Sequence, residues 1–263
     1  MQFKQILSGL LLLGSTAFAG NIDNTGNCKE IKNRLGDYKL NLQECRVNSF
    51  GEVVSLGISP YCLKEKDIAK ILAYDTIDKL VYSNTGVYDY YDECGENGLK
   101  QFPRNAISKI GNLREVDLSN FVTLKKGDLT SLPDSVLQLV IGDVTITQDI
   151  INDLSKLTNL KTLEFRYSSF KDGLNYKALS NLNLNSLTIT NREKQKSYDS
   201  IGEPKSVPKN FLKYFKSVEE FKINYARFSK AVLNEIGQLT NLEELQIKNG
   251  NFEEDATLDS FKI

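Results

Sequence analysis

Apolar residues return along this chain in one short pattern. From the first apolar residue of each block, the anchor, further apolar or aromatic residues follow three and five positions on. The blocks are VVSLGI (53–58), IDKLVY (77–82), LREVDL (113–118), VLQLVI (136–141), LKTLEF (160–165), LNSLTI (184–189), VEEFKI (218–223) and LEELQI (242–247). Successive anchors are 24, 36, 23, 24, 24, 34 and 24 residues apart. Five of these gaps agree to within one residue, and the other two are the same unit with twelve and ten residues added. Two stretches, LTNLKTLEF (157–165) and LTNLEELQI (239–247), are near-copies. Apolar residues at +3 and +5 alternate as in a short strand with one buried face.

Upstream of most anchors the apolar step is three: Ile68-Ile71-Tyr74-Ile77, Ile107-Ile110-Leu113, Leu154-Leu157-Leu160, Leu212-Phe215-Val218 and Leu233-Ile236-Leu239-Leu242. That step suits a short helical or 3₁₀ turn. A further apolar residue stands ten positions after the anchor at Val87, Ile146, Phe170, Phe228 and Phe252. One such unit cannot bury its own apolar face, whereas stacked units make a continuous core. A helical bundle would need longer runs at a period of 3.6, without the recurring strand pattern. The expected fold is therefore an α/β solenoid of about eight repeats, with a parallel sheet on one side and short helical or irregular segments on the other.

LxxLxL on a period near 24, across roughly residues 50–252, resembles the extracellular leucine-rich repeat proteins of the L domain-like type. The resemblance implies a curved superhelix with its sheet on the concave side. The stretch 27–59 is similar to the N-terminal cap of plant-type and related microbial members, which implies a disulfide-stapled helix covering the first repeat. Two departures stand out. Members usually carry asparagine at +8 for a hydrogen-bonded ladder, where this chain has Thr85, Phe121, Val144, Ser168, Arg192, Ala226 and Gly250. Asparagine stands instead at +7, as Asn84, Asn120, Asn191 and Asn249, so the turn after the strand must be satisfied differently. The plant GxIP signature is also missing, with only Leu132-Pro133 hinting at it.

Export changes how the cysteines are read. The opening MQFKQILSGLLLLGSTAFAG has a positive start at Lys4, an apolar run from Ile6 to Leu13, and small residues around Ala19. That is the layout of a signal peptide, and the run is far short of the ~20 residues of a spanning helix. The four cysteines, Cys28, Cys45, Cys62 and Cys94, then read as disulfides. Three pairings are open, and Cys28–Cys45 with Cys62–Cys94 is favoured. The expected layout is a leader at 1–19, a cap at 20–50, a solenoid at 51–252 with insertions near 88–100 and 192–206, and a closing segment at 253–263. That segment, with LDSFKI at 258–263, reads as an abbreviated closing strand.

The composition removes most enzyme classes. There is no histidine, which excludes Ser-His-Asp and Cys-His catalysis. No nucleotide-binding glycine motif appears, and the cysteines are too far apart for a four-cysteine zinc site, so no cofactor or metal is expected. Basic and acidic residues number 33 and 34, with no basic face for nucleic acid. No Asn-x-Ser/Thr sequon occurs, and no second long apolar run indicates a transmembrane segment.

What remains is a surface. With +3 and +5 inward, positions +2, +4 and +6 are expected to face solvent. The candidate binding face is the middle of that array with its tyrosine-bearing rim: Asp117, Val140, Glu164, Arg166, Tyr167, Thr188, Lys222, Asn224 and Tyr225. A second candidate is the insertion YDYYDECGENG (88–98), with Tyr88, Tyr90 and Tyr91. The expected role is non-catalytic recognition of an extracellular or cell-surface protein. Carbohydrate or cell-wall binding is the alternative, since tyrosines stack on sugar rings.

Overall fold

The computed structural model describes residues 21–83, 102–119, 123–191 and 205–256. The chain divides into two compact units between Gly142 and Asp143. The expected leader (1–19), Tyr88, Tyr90, Tyr91, Cys94, most of the second insertion (192–204) and the final strand pattern (258–263) lie outside the described residues.

The first unit opens with helix α1 (Gly26–Leu35), which buries Cys28, Ile31 and Leu35 on one face. Lys32 and Arg34 sit at its C-terminal end, where the helix dipole favours cations, and Gly36 leaves it with a φ of 54°. Strands β1 (Leu42–Val47) and β2 (Val53–Ile58) form an antiparallel hairpin. The Cys28–Cys45 disulfide joins α1 to β1, and both residues are fully buried, as expected for this pair. Cys62 is also disulfide-bonded. At the hairpin tip Gly51 meets the start of α1. A Cβ on Gly26 would lie 2.1 Å from the Gly51 carbonyl oxygen, so only glycine fits there.

The outer edge of β1 is covered by the preceding segment. The Cys45 N–H donates to Asn21 O at 3.2 Å, and the Asp23 N–H to Cys45 O at 2.8 Å. The Asp23 carboxylate accepts from the Val47 N–H at 2.8 Å. An edge that would otherwise offer unpaired donors and acceptors is thereby occupied.

From β2 the sheet continues in parallel through β3 (Lys79–Tyr82), β4 (Glu115–Leu118) and β5 (Gln138–Gly142), with α2 (Glu65–Ile71) and α3 (Arg104–Ile107) in the connections. The +3 residues Leu56, Leu80, Val116 and Leu139 fall in register and are buried. Each such side chain contributes roughly 2 kcal/mol of burial.

In the second unit, strands β7 (Thr162–Arg166), β9 (Ser186–Thr190), β11 (Glu220–Asn224) and β13 (Glu244–Lys248) pair in parallel in that order. The +10 residues belong to two narrower sheets. One is β6 (Thr145–Ile146) with β8 (Ser169–Phe170); the other is β10 (Lys205–Ser206), β12 (Ala226–Phe228) and β14 (Asn251–Phe252). Helices α4 (Gln148–Leu154) and α5 (Lys230–Ile236) are capped by Thr147 and Ser229, whose hydroxyls each accept a backbone N–H at 3.4 Å. Phe211 anchors the core, with ring centres 5.9 Å from Phe165, 5.3 Å from Phe170, 5.1 Å from Tyr176 and 5.0 Å from Phe215.

Polar side chains tie the repeats together just before the anchors. The hydroxyls of Thr76, Ser135 and Ser217 each donate at 2.7 Å to the anchor carbonyl of the preceding repeat, at Val53, Leu113 and Leu184. Asn112 and Asn241 donate from the same position to Asp75 O at 2.9 Å and Lys216 O at 3.0 Å.

The turn after the strand is satisfied by the backbone. Asp143, Tyr167, Tyr225 and Asn249, all at +7, have φ of 57°, 54°, 51° and 51°. In the second unit the +7 N–H donates to the +6 carbonyl of the next repeat: Asp143 to Arg166 (2.9 Å), Tyr167 to Thr190 (2.6 Å), Asn191 to Asn224 (3.1 Å) and Tyr225 to Lys248 (3.0 Å). Left-handed backbone favours Asn and Asp, which accounts for Asn249 and Asp143 at +7, whereas Asn191 does not share that backbone. Tyrosine gains no such relief, at a cost of roughly 1 kcal/mol per residue.

This recurring strand, turn and short helix, stacked in register, is the leucine-rich repeat solenoid fold. Two expectations are corrected. In the first repeat Ser55 (+2) and Gly57 (+4) were expected to face solvent, yet both are buried against Glu44 of β1, whose carboxylate accepts from the Ser55 hydroxyl at 2.6 Å. Position +6 was expected to face solvent, yet Ser59, Ser83, Ser119 and Gly142 are buried. For the three serines the reason is strand length, whereas β5 does run to +6 and Gly142 is buried there with no side chain to present. Strands β2, β3 and β4 end at +5, so the period of two no longer governs +6, and serine turns inward there. Strands β7, β9, β11 and β13 run to +6, where Arg166, Thr190 and Asn224 stay part-exposed and Lys248 is exposed.

Candidate functional site

The nine residues expected to form the binding face fall on both units. Asp117 on β4 and Val140 on β5 are register partners in the first unit, both half-buried. The other seven lie in the second unit.

There the outward positions make a grid of three rows by four strands. The +2 row is Thr162, Ser186, Glu220 and Glu244. The +4 row is Glu164, Thr188, Lys222 and Gln246, and the +6 row is Arg166, Thr190, Asn224 and Lys248. Thr188 therefore sits in register between Glu164 and Lys222.

Two pairs of opposite charges on this grid lie along single strands. Arg166 makes a two-point contact with Glu164, Nε to Oε1 at 2.9 Å and Nη2 to Oε2 at 3.1 Å. Fork-to-fork pairing of this kind fixes both planes and holds the side chains still. Lys222 pairs with Glu220 two residues earlier, and Ser186 Oγ donates to the other Glu220 oxygen at 2.6 Å. The hydrogen bond from Lys222, then that from Ser186, hold the Glu220 carboxyl below its ordinary value, against a smaller opposing effect of burial. Both carboxylates are thus engaged as hydrogen-bond acceptors.

Two features adjoin the grid. The Asn224 side-chain oxygen Oδ1 is buried without a hydrogen-bond partner, a state that costs free energy unless something donates to it. Tyr167 and Tyr225 stand at +7 beside Arg166 and Asn224, both part-exposed.

Two residues of this network, Ser186 and Glu220, were missing from the candidates. The signal was present, since Glu-x-Lys at 220–222 repeats the Glu-x-Arg arrangement at 164–166, and residues two apart on a strand share a face. The tyrosine-bearing insertion lies outside the described residues. Among the described residues no group of three or more Cys, Asp or Glu could hold a metal ion, and no helix is long and apolar enough to cross a membrane.

Fold and surface together define a leucine-rich repeat scaffold presenting an ordered polar face on its strands. No family model matches the chain, and no curated protein sequence does. Among solved structures it is similar to internalin C2 (inlC2) from Listeria monocytogenes, at 14% identity and a TM-score of 0.49, covering 89% of this chain and 86% of that one. An internalin (inlF) from the same organism is similar at 14% identity and a TM-score of 0.40, covering 95% and 83%. TLR13, solved in complex with ssRNA13, is similar at 14% identity and a TM-score of 0.42, covering 76% of this chain and 33% of that one.

Proposed function

We propose that this protein is an exported, non-catalytic recognition scaffold that binds a protein partner across the strand face of its second unit. The observation that carries the reading is the Glu164–Arg166 and Glu220–Lys222–Ser186 network. It presents charged groups already paired and fixed, so a partner meets a preorganised polar surface and little side-chain ordering remains on binding. The leader pattern at 1–19 supports the exported part of this reading.

The test is a pull-down with secreted residues 20–263 against the surface and secreted fraction of the producing cell, read for proteins and for glycans. A Glu164→Ala, Arg166→Ala, Lys222→Ala triple variant runs beside it. The expected result is one saturable protein partner that the triple variant loses. Glycan retained equally by both forms, with no protein, would overturn the reading and favour sugar binding elsewhere on the chain.

A further inference from the structure

Strand β13 is the last strand of its sheet among the described residues, and its outer edge has no neighbour there. The Glu244 N–H donates to Glu219 O at 2.9 Å, and Lys248 O accepts from the Tyr225 N–H at 3.0 Å. Alternate residues of a strand turn their backbone groups to opposite sides, so Glu244, Gln246 and Lys248 face β11 while Leu245 and Ile247 face outward. The flanking Glu243 carbonyl and Asn249 N–H face outward with them. Their equivalents one repeat earlier, Glu219 O and the Tyr225 N–H, are both bonded to the repeat that carries β13.

The apolar end of the stack is open at this strand. Leu245 and Ile247 are part-exposed, whereas the residues at the same two positions on β7, β9 and β11 are buried. Phe252 on β14 is 44% exposed, against the fully buried Phe228 on which it stacks. Exposed edges are commonly blunted by a proline, a bulge or an inward-pointing charge. Strand β13 reads ELQIK and has none of these. Its two charges, Glu244 and Lys248, stand at its two ends, both exposed and opposite in sign.

We infer that this edge pairs antiparallel with the β13 edge of a second copy of the chain, about a two-fold axis at Gln246. In that register Leu245 of one copy and Ile247 of the other exchange both backbone bonds, on each side of the axis. The Glu243 carbonyl and the Asn249 N–H meet at either end. Glu244 lies opposite Lys248 of the second copy in a non-hydrogen-bonded pair, the kind in which opposing Cα atoms are about 4.5 Å apart and side chains come closest. By symmetry Lys248 lies opposite the other copy's Glu244, so both exposed charges gain an opposite partner. Centring the seam on Leu245 or on Ile247 instead sets one charge against Gln246 and forms no ion pair.

Symmetry is what selects the second copy as the occupant. A strand with opposite charges at its two ends is complementary to itself when reversed, which is the requirement of an isologous two-fold contact. A head-to-tail stack would need the β1 edge of the next copy, and Asn21 and Asp23 already bond to that edge. In the two-fold arrangement Glu244, Gln246 and Lys248 of both copies share one surface, so the two strand faces lie side by side on a continuous sheet. A partner with repeated epitopes then meets two copies at once. This pairing goes beyond the recognition proposed for a single face and does not depend on what that face binds.

Sedimentation equilibrium of secreted residues 20–263, from about 1 to about 300 μM at low ionic strength, tests this. The parent is compared with Glu244→Lys, with Lys248→Glu, with the double exchange of both, and with an equimolar mixture of the two single variants. The expected result is a monomer–dimer equilibrium with a dissociation constant of about 10–100 μM, as suits a small seam. Each single variant should dimerise about tenfold more weakly, because like charges then oppose each other across the axis. The mixture and the double exchange should return to parent strength, since both restore opposite charges, and recovery on mixing also shows that the single variants are folded. Amide exchange at Leu245 and Ile247 should slow as concentration rises. A parent that stays monomeric, single variants that dimerise like the parent, or a mixture that does not recover would each overturn the inference. Protection of those two amides that is equal at low and high concentration would assign the edge to another occupant, this chain's own residues 257–263 included, and would overturn it as well.

Discussion

The Ser217 hydroxyl donates at 2.7 Å to the carbonyl of Leu184, the anchor of the preceding repeat, thirty-three residues earlier in the chain. The contact crosses from one repeat to the next, so it belongs to the stack and not to either repeat alone. Ser217→Ala should lower unfolding stability by about 1 kcal/mol, the usual net worth of such a bond. A urea titration checks it: the midpoint should fall with the slope unchanged.

The Cys28–Cys45 bond closes a loop of 17 residues and fixes α1 against β1. A Cys28→Ser, Cys45→Ser double variant should lose about 3 kcal/mol in the chain-entropy model. Chemical unfolding under oxidising conditions measures the difference.

Glu220 gives the strand face a pH dependence of known sign. Its folded carboxyl is held below the ordinary 4.5 by the hydrogen bonds from Lys222 and Ser186. The stabilisation is therefore complete above that ordinary value and is lost as pH falls through the lower, folded value. Unfolding curves of the parent and Glu220→Gln at pH 7, 4 and 3 should show a stability gap that narrows on acidification. A gap that widens toward pH 3 would contradict the assignment.

Phe211 touches four other rings and is fully buried, so its removal opens a cavity in the second unit's aromatic cluster. Phe211→Ala should cost about 4 kcal/mol. Tyr176, whose hydroxyl is pushed up to about 12 by burial and then by Asp172, packs against Phe211 and serves as the reporter. Its ultraviolet titration should move back toward 10 in the variant.

Periodicity in the sequence was enough to place the parallel strands of the recurring blocks and most of the short helices, because +3 and +5 are apolar only if something stacks on them, but it gave no sign of the antiparallel β1. Asparagine at +7 was an equally local signal, and at Asn249 the left-handed turn explains it. The inter-repeat bonds went unread although their signal was local: Thr76, Asn112, Ser135, Ser217 and Asn241 each directly precede an anchor. A polar residue directly before a buried strand needs a partner, and the neighbouring repeat's carbonyl is the one within reach. The burial of Ser59, Ser83 and Ser119 was not legible, since it depends on where each strand stops. Nor was the unpartnered Asn224 oxygen, which depends on the side chains packed around it.

A stack of rungs converts chain length into distance. About 24 residues of sequence move a surface group by one strand separation, about 4.8 Å. The gap between Tyr167 and Tyr225 is therefore an integer number of steps, fixed by how many repeats lie between them. A substitution can change what either ring touches, but only the gain or loss of a whole repeat can change how far apart they stand. Such a scaffold keeps its ruler and its chemistry in separate parts of the sequence, so each can be altered while the other is left in place.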